Sequence, residues 1–181
     1  MRLLHYTEEP LAFKPAFTYE QSEPRSFGKP VGFWVSVQGE DDWPSWCTDN
    51  EFFLSGLTHV HTVELAPNAN VLMLDTVDAM VDFHDRFSVE DTGWLPPRHT
   101  FSEEYVWKSR PIDWTPITAV HDGIIIAPYQ WPCRMKYDWY YGWDCASGCI
   151  WNLRAIAAVQ PCTAPALPAA SEEALVPLTG A

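Results

Sequence analysis

The chain has 181 residues, 47% of them hydrophobic and 19% charged, with a net charge of −13. That length fits one domain with a real core, and that composition excludes a disordered chain. The acidic balance disfavours duplex nucleic acid, whose binding rests on Lys and Arg, and no apolar run approaches the ~20 residues of a membrane span.

Residues 3–7 read as a strand and residues 8–30, rich in Pro, Glu and Ser, as a long irregular loop. Residues 31–37 alternate with β-branched and aromatic side chains, so they form a second strand. Pro44 sits where a first-turn proline would, which predicts a helix over 43–55. The runs 59–65 and 71–74 read as strands, and Asp75 caps a helix through Phe87 with Val77, Met80, Val81 and His84 at helical spacing. Residues 88–101 read as loop and Asp113 to His121 as a short helix. Ile124 to Ala127 is an apolar strand after the Asp122-Gly123 turn. Residues 128–148 are dense in Tyr, Trp, Cys and Gly without either period, and Cys149 to Leu153 resumes as a strand. From Gln160 on, Pro, Ala and Thr dominate, so the division is a domain over 1–159 and a disordered tail over 160–181. Short strands with interspersed helices make an α+β protein.

Ten tryptophans are many for this length, and their large apolar area with one polar N–H favours aromatic-walled clefts. The five cysteines are an odd count, and Met1 to His5 runs into structure without a leader pattern, which reads as a reduced, cytoplasmic protein. Cys145-x-x-x-Cys149 with Cys133 would supply three thiols to a metal, but Gly148 argues against the helix that spacing needs. His59 and His61 share one strand face, an arrangement that strands also carry without a ligand. Cys47 at a helix start is a conceivable nucleophile. Gly28-x-x-x-Gly32 lacks the Lys-Ser/Thr of a phosphate loop, which argues against kinase or GTPase chemistry.

Two segments carry the sharpest signal. His5 and Thr7 lie two residues apart on the first strand. Phe27-Gly28-Lys29-Pro30-Val31-Gly32-Phe33-Trp34-Val35-Ser36 feeds the second strand, with Trp46-Cys47 on the helix beyond. This pair resembles the first two core motifs of the ADP-ribosyltransferase superfamily, on its diphtheria-toxin-like and poly-ADP-ribose-polymerase side. The likeness runs through the first third of the chain and is loose after it.

The resemblance implies a compact split β-sheet core with two to four short helices. NAD, as substrate, would lie between the strands of His5 and Trp34, framed by the loops 8–30 and 129–143. His5 would bond the adenosine ribose with support from Thr7. Gly32 would open the second motif, Trp34 would stack on nicotinamide, Trp46 would be the second aromatic and Ser36 the strand-ending hydroxyl. The family's third element is a carboxylate, usually Glu, opening a late strand. Here Ala146-Ser147-Gly148 stands before Cys149 with no Glu. Asp144 is therefore the candidate catalytic acid beside His5, with Asp138 the second choice. Gln130 offers a hydrogen bond but no base. The implied activity is mono-ADP-ribosyl transfer to a protein or nucleic-acid acceptor, by a stand-alone toxin, effector or phage-type modifier. The alternative is an inert binding module of the same fold.

Overall fold

A computed structural model gives the fold, and it describes residues 1–90 and 102–163. Seven strands form one sheet: β1 (Leu3–Thr7), β2 (Phe33–Val37), β3 (His59–Leu65), β4 (Val71–Leu74), β5 (Gly123–Ile126), β6 (Ser147–Ile150) and β7 (Ile156–Cys162). Their order is β4-β5-β6-β2-β1-β3-β7. Only β4 and β5 run parallel, and every other pair is antiparallel. Six α-helices occur among the described residues: α1 (Trp43–Asp49), α2 (Val77–Phe87), α3 (Glu103–Lys108), α4 (Trp114–Thr118), α5 (Trp131–Arg134) and α6 (Asp138–Tyr141). The class is α+β, with a mixed sheet and more helices than the two to four expected.

The sheet is continuous, yet its hydrogen bonding is uneven. β1 pairs with β3 along all five of its residues. Against β2 it pairs only Leu3 with Val37 and Leu4 with Ser36. β2 in turn pairs with β6 from Phe33 to Ser36. The sheet is one, with a seam between β1 and β2 whose pairing covers one end only.

Local chemistry sets several boundaries. α1 starts where read, because Asp42 accepts from the Ser45 N–H at 3.0 Å and Pro44 occupies the first turn. It stops at Asp49, short of residue 55, where the backbone turns left-handed at Glu51 (φ 49°) and Phe53 (φ 44°). The cap of α2 is Thr76 in place of Asp75, through the Ala79 N–H at 3.2 Å. α3, capped by Ser102, was not foreseen. The 160 boundary falls inside β7, whose last residues pair Gln160 with Thr62 and Cys162 with Val60. Most of the predicted loop 88–101 and the tail from 164 lie outside the described residues.

The aperiodic segment 128–148 supplies much of the core. α5 and α6 are single turns; α6 buries Trp139 and Tyr140, and Tyr137 and Trp143 on either side of it are buried too. Trp139 meets Phe83, Trp114 and Trp143 at ring separations of 5.2, 6.2 and 6.5 Å. Ile124, Ile125 and Ile126 have no exposure, as an interior strand covered on both faces requires.

Candidate functional site

Where β1 and β2 part, an aromatic cleft of about 360 Å³ opens. β1 contributes Leu4, His5 and Tyr6, β2 contributes Trp34, Val35 and Ser36, and β6 contributes Ser147. Lys29, Trp43, Phe53, Trp143 and Cys145 complete the wall. The volume lies in the range of small-molecule sites, as does the pattern of apolar walls with a few polar groups.

His5 stands at the parting. Its Nδ1 donates to the Trp34 carbonyl at 2.7 Å, just past the last β1–β2 residue pair. A side chain thus fills a place that the ladder leaves, and Nε2 carries the remaining lone pair. The ring stacks on Phe33 at 4.0 Å and lies 6.5 Å from His61. Burial lowers its pKa below the ordinary value, more than the Trp34 bond raises it, with the nearby His61 adding to the fall. His5 is therefore neutral at pH 7.

The remaining expected site residues divide. Trp34 borders the cleft, but its ring is already engaged, edge-on to Trp143 at 4.9 Å and with the Lys29 ammonium 5.3 Å from its centre. Ser36 is buried and accepts from the Trp43 N–H at 2.9 Å, which fixes the start of α1 and so the position of Trp43. Trp46 stacks beneath Trp43 at 5.2 Å and 11° and reaches a separate depression. Trp43, three residues earlier, is the helix aromatic that borders this cleft. Gly32 is a packing residue: a Cβ there would fall 2.5 Å from Cys149 Sγ and 2.9 Å from the Ile150 carbonyl oxygen. Thr7 ends β1 outside the cleft wall, with Oγ1 buried and without a hydrogen-bond partner.

Asp144 stands apart from the cleft lining. Its carboxylate pairs with Arg134 at 3.1 Å in the neighbouring depression, beside Glu40, Asp41, Trp46 and Trp131. The backbone at Asp144 is left-handed (φ 58°), while the next residue, Cys145, faces the cleft. Asp138 opens α6, and burial raises its pKa. Gln130 spends its amide on the carbonyls of Asp75 and Pro128, at 3.1 and 2.8 Å, and its backbone N–H on the Tyr140 hydroxyl. Asp42, close by in sequence, is used as the helix cap, accepting from Ser45 and from the Gly39 N–H. No carboxylate is among the described residues that line the cleft.

Cys47 is fully buried, and burial pushes its thiol up to about 11, the opposite of an activated nucleophile. Cys145 is pushed up to about 12 by burial. Among the described residues no group of three or more His, Cys, Asp or Glu side chains is arranged to hold a metal. His61 turns inward toward His5, buried with Nδ1 unpartnered.

Lys29 and Trp143 lie in the two loops expected to frame the cleft, without being singled out there, while Trp43 and Phe53 are cleft residues that the resemblance does not name. The signals for two of them are in the sequence: Lys29 lies inside the Gly/Pro cluster before β2, and Trp43 lies one helical turn from Trp46.

No helix among the described residues is long and apolar enough to cross a membrane. No family model, curated protein or solved structure matches the chain. What the geometry defines is an α+β protein with an aromatic cleft at a parted sheet seam.

Proposed function

We propose that the chain binds NAD in the seam cleft and transfers ADP-ribose from it to an acceptor. One observation carries the reading: the strands of His5 and Trp34 that the resemblance singles out, and β6, which begins at Ser147 and holds only Cys149 and Ile150 of the expected late strand, lie side by side and meet at one cleft. In the reaction, the bond between nicotinamide nitrogen and ribose C1 breaks, and its electron pair leaves with nicotinamide. The acceptor's nucleophilic atom then bonds C1 and gives up a proton. Nicotinamide is a cationic leaving group, so the protein's work is to bend and hold the dinucleotide and to favour an oxocarbenium-like ribose.

The second reading, an NAD-binding module without transfer, is favoured by the absence of a carboxylate in the described lining and by Ser147 at the start of β6. Asp144 would act only across the wall or by leaving Arg134. Its charge does reach the cleft, where it partly offsets the fall in the Lys29 pKa.

Titrating NAD into the protein while following tryptophan emission tests binding, because Trp34, Trp43 and Trp143 border the site. Absence of binding at millimolar NAD, checked by calorimetry, defeats both readings. Nicotinamide release then separates them. The transferase releases it, and Asp144→Asn cuts the rate by about 10²–10³, the usual cost of a lost electrostatic contact at a transition state, with NAD binding kept. Unchanged release in Asp144→Asn moves the role elsewhere, and no release from the unaltered protein leaves the binding module.

A further inference from the structure

At neutral pH Lys29 is the one charged side chain among the described residues that border the cleft. Its backbone is pinned on both sides. The buried Gly28 carbonyl accepts from Trp114 Nε1 at 3.3 Å, and the buried Pro30 carbonyl accepts from Cys149 Sγ at 3.7 Å. Its stem passes over Gly142, where a Cβ would lie 3.0 Å from Cε, and its ammonium ends 5.3 Å from the Trp34 ring centre. Among the described residues no carboxylate pairs with it, since Asp144 is bound to Arg134. Neighbouring atoms desolvate the ammonium and lower its pKa from the ordinary value.

Lys29 as a residue is exposed, and its ammonium stands over Trp34 while Asp144, the carboxylate whose charge reaches it, is engaged by Arg134, so the ammonium can take an anion from solvent. In a chain of net charge −13, a cation at a cleft whose described lining holds no carboxylate marks where an anion is admitted. We propose that Lys29 anchors the diphosphate of the cleft's nucleotide and thereby sets which way the ligand lies. The diphosphate sits at the Lys29–Trp34 end. The cationic nicotinamide ring, which the ammonium would repel from Trp34, lies instead against Trp43 and Phe53. This rests on the NAD reading and replaces its stacking role for Trp34.

The test titrates the full chain with NAD, ADP-ribose, nicotinamide riboside and inorganic pyrophosphate, in unaltered protein, Lys29→Gln and Lys29→Arg. ADP-ribose binds about tenfold or more tighter than nicotinamide riboside, the scale of one charge-assisted contact, and added salt weakens it. Lys29→Gln loses that factor for NAD and ADP-ribose, leaves the riboside unchanged, and Lys29→Arg keeps most of it. Equal ADP-ribose affinity in Lys29→Gln and the unaltered protein overturns the proposal while leaving NAD binding intact. Lys29-dependent pyrophosphate binding with no binding of NAD or ADP-ribose keeps the anion site and defeats the NAD reading. If none of the four binds, both fall.

Discussion

His5 has a structural task as well as a candidate role at the ligand. Its Nδ1 bond to Trp34 and its stacking on Phe33 tie β1 to β2 where the backbone pairing has ended. His5→Ala is therefore expected to weaken NAD binding and also to lower stability, by about 1–3 kcal/mol for one lost hydrogen bond and one aromatic contact. Parallel NAD titrations and thermal melts check both. An unchanged midpoint would mean that the seam does not depend on the ring. Trp43→Ala is expected to weaken NAD binding by about 1–3 kcal/mol, the range for an aromatic contact with a base, while Trp46→Ala has a smaller effect because its ring lies beneath Trp43. Equal losses in a binding titration would show that the stack acts as one unit.

Among the elements, α2 carries the clearest pH dependence. His84 has no exposure; Nε2–H donates to the Trp107 carbonyl at 2.8 Å, and Nδ1 accepts from Trp139 Nε1 at 3.1 Å. Protonation would leave Trp139 without its acceptor. Burial lowers the His84 pKa first, and Arg110 and Lys136 lower it further, against the Trp107 bond and Asp85, which raise it. A histidine whose folded pKa is lowered contributes stability that is full above its unfolded value of about 6.5 and is lost as pH falls below it, by up to about 1.4 kcal/mol per pH unit. His5 has the same sign. The thermal midpoint should fall between pH 7 and pH 5, less steeply in His84→Gln, and an identical slope in that variant would assign the effect elsewhere.

Strong periodicity made some elements legible. The strands over 59–65 and 71–74 have the bounds read from alternation and apolar runs. α3 is six residues without a buried side chain, so no apolar stripe marks it. The composition from Gln160 on, dominated by Pro, Ala and Thr, reads as tail, but residues 160–162 end β7 at the sheet's edge, where a strand tolerates the missing N–H of Pro161. In the cleft, the resemblance of two segments to a family's motifs points to His5, Trp34 and Ser36. Lys29, Phe53 and Trp143 come from three separated segments, and only the packing brings them together.

For the molecule as a whole, the seam divides the sheet into two plates, β4-β5-β6-β2 and β1-β3-β7, joined along β1 and β2 by two residue pairs, the backbone and side-chain bonds between Arg2 and Gln38, and one imidazole. A plate junction with so few stitches is where the native protein should breathe first. A molecule wedged between the plates would act as a clasp, adding its contacts to both sides at once. Occupancy of the cleft would then be felt well beyond its walls, as slower amide exchange along the whole β1–β2 edge and as a shared rise in the melting of two halves that otherwise hold each other loosely.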